Sequence, residues 1–455
     1  MALLFRTNVV LVLLCAAGSA VWLQSAPSPA QLPATRIDGV QALNSRSALV
    51  WGDSDTLQIW RVEFLGVGAN AGIRWTAIPT PPELKTFKDS SKEEGSPQVK
   101  VNFGPDGTMR VFWADNEREF GEAHFEFDLH QAESADEGHT WRVYQSTLLE
   151  PGGDASEVGQ CRFVDHQHGW MLLFGEPGAG QLPEMLVTTA DGGHTWQTVA
   201  AWDQHGPGTA PLGRTGAQSL VVRSATVASF IAARNAENEV PLAAASTEDG
   251  GHTWINTVLD ESVSIGSNVS GLAQLKDDPM QPHRVCVDAL LSRYDQSSDS
   301  YSSGDAQYCS VDDGRTWLSP VRVPMPATVI GDTGPGLGHG SSIPVYADAT
   351  LGFAEVWEDR KAPGWKPDGN PTGRETFREY ALFFTTDAGK TWNTVPASIT
   401  GPYRPSDNIQ VTQVAGQGNT VWLLLTLVGD SPHSDLFVSA DHGVTWRLVP
   451  DSASR

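Results

Sequence analysis

The chain has 455 residues, and 54 acidic against 30 basic side chains give a formal net charge of −24. That excess excludes nucleic acid and anionic membrane surfaces as partners held through bulk charge. Forty-five glycines and 29 prolines, with 9% aromatic residues, suit many short strands and turns, and no long stretch carries helical periodicity.

Residues 1–26 read as a targeting segment. Arg6 supplies a small basic region, Val9–Ala17 an apolar run, and Gly18-Ser19-Ala20 a small-residue cleavage site. An uncleaved membrane anchor is the alternative, because Val21-Trp22-Leu23 prolongs the apolar run. Residues 27–35 form a proline-rich linker, and residues 36–455 are expected to be the folded, exported part, secreted or periplasmic.

One phrase then recurs to the end of the chain. Ser/Thr-x-Asp-x-Gly-x-Thr-Trp occurs at Ser134–Trp141, Thr189–Trp196, Thr247–Trp254, Ser310–Trp317, Thr385–Trp392 and Ser439–Trp446. A worn copy at Gly68–Trp75 keeps the Gly and Trp and has Asn70 in place of Asp. The seven Trp residues are 66, 55, 58, 63, 75 and 54 positions apart, the spacing of stacked supersecondary units. The chemistry is that of a tight turn. The Asp accepts backbone N–H groups a few residues on, the Gly takes a conformation costly to other residues, the Thr hydroxyl bonds the same carboxylate, and the Trp opens the next strand with a large apolar face.

Strand-length apolar runs precede each phrase. The first unit offers Arg36–Leu43, Ala48–Gly52, Leu57–Phe64 and Trp75–Ile78. The fifth has Ser270–Leu275, Arg284–Leu291 and Asp305–Ser310; the sixth Ser342–Ala347, Gly352–Glu358 and Glu379–Thr385; the last Asn408–Val414, Thr420–Val428 and Asp435–Ser439. The run after each phrase completes four. The expectation is an all-β chain, a single propeller of four-stranded antiparallel blades, seven in number with six as the alternative.

Cys286 and Cys309 fall on adjacent strands of one blade, where a disulfide can form in an oxidising compartment. Cys161 is expected to be a buried small apolar residue. No Cys/His spacing suggests zinc, and the glycine-rich Thr333–Gly340 lacks the strand-to-helix context of a nucleotide loop. The box histidines His139, His194, His252 and His442 read as exposed turn residues.

The repeated phrase resembles the Asp-box, or bacterial neuraminidase repeat, of the sialidase superfamily, and the resemblance covers about residues 36–450. It implies that each box is the turn between strands three and four of a blade, away from the active face, so its Asp, Gly and Trp are scaffold. The opposite face then carries the long loops, among them Pro79–Pro97, Ala114–Ala123, Arg293–Asp305, Pro324–Ser341, Glu358–Glu379 and Ala397–Asp407, and such a loop-rich face is where binding and catalysis concentrate. The richest stretch is Trp357-Glu358-Asp359-Arg360-Lys361, continuing through Trp365 and Lys366 to Arg374 and Arg378.

Enzymes of the superfamily hold a sugar carboxylate with three arginines and use a Tyr nucleophile paired with Glu and an Asp acid/base. Thr35-Arg36-Ile37-Asp38 matches their first arginine motif only as Arg-Ile. Arg36, Arg360 and Arg404 with Tyr403, Asp53 and Glu358 are the candidate catalytic set. The resemblance implies an exo-sialidase-type glycoside hydrolase, a monomer without metal or organic cofactor, and with no membrane contact beyond the N-terminus. The alternative is a non-catalytic exported propeller that binds a glycan, an envelope component or a protein partner.

Overall fold

The computed structural model describes residues 37–450 apart from 54–56, 66–71, 86–98, 120–123, 152–154, 176–183, 203–216, 233–241, 261–270, 278–282, 296–299, 323–338, 343, 349, 362–375, 405 and 429–432. The expected leader and linker fall outside that set, as does the worn first box as far as Ala71.

The fold is an all-β propeller of four-stranded antiparallel blades. Its strands lie in sheets spanning 39–78, 100–151, 155–202, 217–260, 271–322, 339–394 and 408–448, each built from consecutive strands. These are numbered here first to seventh in chain order. Helical structure among the described residues is limited to single turns at Pro82–Lys85 and Ala397–Thr400.

The six boxes close the turns between third and fourth strands as their chemistry dictates. In the second sheet the Asp136 carboxylate accepts Thr140 N–H at 2.8 Å, Thr140 Oγ1 at 2.7 Å and Ser134 Oγ at 2.9 Å. Ser134 Oγ in turn accepts the Gly138 N–H at 2.7 Å. The same net repeats at Asp191, Asp249, Asp312, Asp387 and Asp441. The box glycines stand at positive φ, as do the residues before them, for example Glu137 at 57° and Gly138 at 80°. Hydrogen bonds from Thr140 hold the Asp136 carboxyl down at about 2, although burial pulls the other way.

Sheets are joined face to face by apolar clusters. Val50 and Trp60 of the first pack on Trp422 and Leu424 of the seventh; Trp51 meets Trp113 of the second. Phe112 meets Met171 and Trp196 of the third, and Leu172 meets Phe230 of the fourth. Ile231 meets Val287 of the fifth, and Phe353 of the sixth meets Leu423 and Phe437 of the seventh. No strand is shared between first and last sheets among the described residues. Their junction is instead pinned by Trp75 Nε1 donating to Pro450 O at 3.1 Å, Thr420 Oγ1 to Ser45 O at 2.6 Å and Ser434 Oγ to Ile37 O at 3.0 Å.

The disulfide between Cys286 and Cys309 is present, and its residues are direct cross-strand partners. Cys161, expected to be buried, is partly buried against the second–third cluster, and burial pushes its thiol up to about 12.

The strands depart from the sequence expectation at the loop-rich face, where several run on into segments expected as loops. Met109–Glu119 pairs with His124–Ser134, Val285–Asp295 with Ser300–Ser310, and Gly352–Lys361 with Thr376–Thr385. Cross-strand pairing thus overrides the polar composition of these ends. Conversely, the expected innermost strand Ser342–Ala347 is broken into His339–Ser341 and Val345–Tyr346. His442, expected to be an exposed turn residue, is part-buried and bonds Asp348 of the sixth sheet through Nε2 at 2.6 Å.

Candidate functional site

The box end of each sheet serves as a ruler. In the sixth sheet the box residue Thr385 pairs with Gly352; upward from it come the pairs Phe384–Phe353, Leu382–Glu355, Tyr380–Trp357 and Arg378–Asp359 on alternating positions. Phe353 and Leu382 belong to the cluster shared with the seventh sheet, so alternation turns Glu355, Trp357, Tyr380 and Arg378 toward the same neighbour. In the seventh sheet Ser439 pairs with Val421, and Phe437–Leu423, Asp435–Leu425 and His433–Leu427 succeed one another upward. Phe437, Leu423 and Leu425 face the sixth sheet, and Asp435 shares that side. The wall between the two sheets therefore changes from apolar at the box end to acidic, aromatic and basic at the loop-rich end.

Tyr403 caps this wall. The helical turn Ala397–Thr400 is closed by Tyr403 N–H donating to Thr400 O at 3.0 Å, which drops the ring onto the sixth–seventh cluster beside Val411 and Leu427. Its hydroxyl donates to Asp435 Oδ2 at 2.6 Å. Burial and the Asp435 carboxylate hold the phenol far above its ordinary range, so it stays protonated until a proton acceptor takes its hydrogen in a reaction. His433 Nε2 stands 3.6 Å from the same carboxylate oxygen. On the sixth sheet the Arg378 guanidinium lies over the Trp357 ring at 3.8 Å, a cation–π contact that fixes both planes.

Glu355 is 7% exposed, and its carboxyl has no hydrogen-bond or ion-pair partner among the described residues. Burial alone pushes it from an ordinary 4.5 to about 7.

The candidate set from the sequence is only partly brought together. Tyr403 is at the site, and its partner is Asp435 where the family pattern calls for Glu. Arg404 is exposed beside it, its N–H held by Asp407 Oδ2 at 2.8 Å. Glu358 and Arg360, expected in a loop, occupy the strand Gly352–Lys361, paired with Glu379 and Phe377. Asp53 ends the strand Ser47–Asp53 opposite Leu57, in the first sheet. Arg36 lies outside the described residues, as do Trp365, Lys366 and Arg374. Sequence reasoning missed Glu355 and Asp435. The signal was there in each case: an acid inside an otherwise apolar strand run, Gly352–Trp357 and Asp435–Ser439.

Residues 85–279 match the family model described as a BNR repeat-like domain. That match covers under half of the chain, whose fold is a β-propeller. Curated proteins give no match. Among solved structures it is similar to a Penicillium chrysogenum α-L-arabinanase complexed with arabinobiose, at 12% identity over 77% of this chain and 80% of that one, TM-score 0.36. It is also similar to the β-propeller domain of the Trilobed protease of Pyrococcus furiosus, at 7% identity over 92% and 98%, TM-score 0.43. A polysaccharide lyase described as an ulvan lyase aligns at 10% identity over 90% and 92%, TM-score 0.41.

Proposed function

We propose that this chain is an exported, glycan-active propeller whose ligand is held at the loop-rich end of the wall between the sixth and seventh sheets, with exo-sialidase-type hydrolysis as its chemistry. The observation that carries this is the Tyr403–Asp435 pair, a phenol already donating its hydrogen to a carboxylate at 2.6 Å. A nucleophile with an adjacent base is the arrangement that covalent glycosyl transfer to tyrosine requires. Arg404 and Arg378 add cations suited to a sugar carboxylate at the same end of a chain whose net charge is −24. The remaining candidates, Arg36, Arg360, Glu358 and Asp53, enter this reading through the sequence resemblance alone.

Export is supported by the apolar N-terminal pattern and by the Cys286–Cys309 bridge, which persists in oxidising compartments. A ring of seven blades is supported by seven box-period repeats and by the apolar clusters that join six successive pairs of sheets, the first and last included. A six-bladed ring would leave one of these sheets outside it.

A non-catalytic binding propeller is the second reading, favoured by the packing of Tyr403 on the apolar cluster, which restricts its approach to a ligand. Turnover of sialosides by the wild-type chain and by Asp435→Asn separates the two. Hydrolysis that is lost in the variant supports the enzyme; binding of a sialylated glycan without turnover supports the second reading.

A further inference from the structure

We propose that side-chain amides on the first strands form a girdle that closes the ring at its axis, and that Gln413, the link across the seam between the seventh and first sheets, latches the N-terminal strand Gly39–Asn44 in place.

The need for such a device follows from the sheets themselves. The first strand of each lies at a sheet edge, where outward N–H and C=O groups have no strand to pair with. First strands of successive sheets approach one another, which takes these groups out of water, and an unmade hydrogen bond there costs free energy. A Gln or Asn side chain carries both a donor and an acceptor, so it can complement a peptide group.

Four successive junctions use this match, always in the same direction. Gln413 Oε1 of the seventh sheet accepts the Val40 N–H of the first at 3.0 Å. Gln41 of the first takes both groups of Phe103 in the second: its Oε1 accepts the N–H at 2.9 Å and its Nε2 donates to the carbonyl at 2.8 Å. Asn102 Nδ2 of the second donates to Cys161 O of the third at 3.2 Å. Gln160 Oε1 of the third accepts the Leu220 N–H of the fourth at 2.6 Å. Every partner lies on a first strand: Asn408–Gln417, Gly39–Asn44, Lys100–Phe103, Ala155–Phe163 or Ala217–Val222.

Local backbone geometry aims these side chains. Val101 and Phe103 pack toward the first sheet, so Asn102 between them faces the third. In the seventh sheet Val411 opposes Leu425 and Gln413 opposes Leu424, which leaves Thr412 as an extra residue. In the third, Val158 opposes Leu173 and Cys161 opposes Met171, so Gly159 and Gln160 stand against Leu172 alone. Bulges of this kind re-aim a side chain, here toward the next sheet.

The seam differs from the other three junctions in one respect. The first to fourth sheets follow one another along the chain, whereas no chain segment joins the seventh to the first, so no short loop limits their separation. Each of three strands of the seventh sheet instead pins one point of the N-terminal segment. Thr420 Oγ1 holds Ser45 O, Ser434 Oγ holds Ile37 O, and Gln413 holds Val40. Of these, Gln413 bonds within the strand Gly39–Asn44, and the other two bond its flanks. Val40 also belongs to the apolar cluster of the seam, so its release carries the strand with it.

The test is hydrogen–deuterium exchange of the full chain, read residue by residue, in wild type, Gln413→Leu, Gln413→Glu and Gln160→Leu. Leu keeps bulk and loses the acceptor; Glu keeps the acceptor. In wild type the Val40, Phe103 and Leu220 N–H groups should exchange as slowly as their strand-paired neighbours. One net hydrogen bond is worth about 2- to 13-fold in an opening equilibrium. Gln413→Leu should therefore speed exchange across Gly39–Asn44 by about that factor, with Gln413→Glu close to wild type. Gln160→Leu should release the Leu220 N–H while the rest of Ala217–Val222 keeps its wild-type rate. Fast exchange of the three amides in wild type overturns the girdle without any substitution. Acceleration confined to Val40, none in Gln413→Leu, or an equal acceleration in Gln413→Glu overturns the latch.

Discussion

Replacing Glu355 by Gln tests the burial of this carboxyl independently of any activity. Its folded-state value of about 7 stands above an ordinary 4.5. Below pH 4.5 both folded and unfolded chains hold the proton, and the stabilising contribution is fully present. As pH rises toward 7 the unfolded chain releases the proton while the folded one keeps it, so stability is lost across that window and then levels off. About 2.5 pH units at 1.36 kcal/mol each come to about 3 kcal/mol. With an unfolding entropy of about 2.1 cal/mol/K per residue over 455 residues, about 1 kcal/mol/K in all, that corresponds to a change of about 3 °C. The assay is thermal unfolding of wild type and Glu355→Gln side by side from pH 4 to 8.5. The melting temperature of wild type relative to the variant should fall by about 3 °C between pH 4.5 and 7 and then hold. A difference that stays constant across the range would refute the placement of an unpaired carboxyl in the wall.

A box turn and the turn between Phe103 and Met109 give a matched pair of substitutions. Gly193 has φ of 93° and a Cβ there would stand 1.8 Å from Gln131 Oε1, whereas Gly107 at 81° has nothing within 4 Å. Gly193→Ala should cost about 2–3 kcal/mol in urea unfolding, from left-handed strain and the loss of the Gln131 bond to Gly192 O, and Gly107→Ala about 1; equal costs would count against the packed turn. The exposed box carboxylates Asp136, Asp249 and Asp387 titrate at about 2, so their contribution is full above the ordinary 3.8 and is lost as pH falls toward 2. Carboxyl NMR titration should find them still ionised at pH 3, and midpoints near 3.8 would contradict the hydrogen-bond net. Tyr403→Phe removes the donor to Asp435 and should cost about 1.5–3 kcal/mol while abolishing turnover; unchanged turnover would remove the nucleophile role.

The repeat made the scaffold readable. Each box carries its own turn chemistry in eight residues, so Asp, Gly, Thr and Trp specify the same hydrogen bonds wherever they recur. The bridge between Cys286 and Cys309 was readable too, because antiparallel pairing sets two strands in register. Site residues depend on what lies across a sheet or between sheets, which local sequence does not state. Arg360 looked like a loop residue because its neighbours are polar, yet its backbone pairs with Phe377. Ser342–Ala347 looked like one strand because the run is apolar, and only the pairing with Gly352–Lys361 reveals the break. Asp435 and Glu355 became visible as partners of one wall once two separate registers were counted from the same box position. Their acidic identity inside apolar runs was the clue present from the start.

The central claim is that the wall between the sixth and seventh sheets cleaves a sialylated glycan. The most direct measurement is hydrolysis of 4-methylumbelliferyl sialoside by the purified mature chain beside Asp435→Asn and Arg404→Ala, each shown folded by thermal unfolding. Steady turnover by wild type, reduced about 10²-fold or more in both variants, is the result expected. No turnover by the folded wild-type chain, or turnover untouched by both substitutions, would contradict the claim.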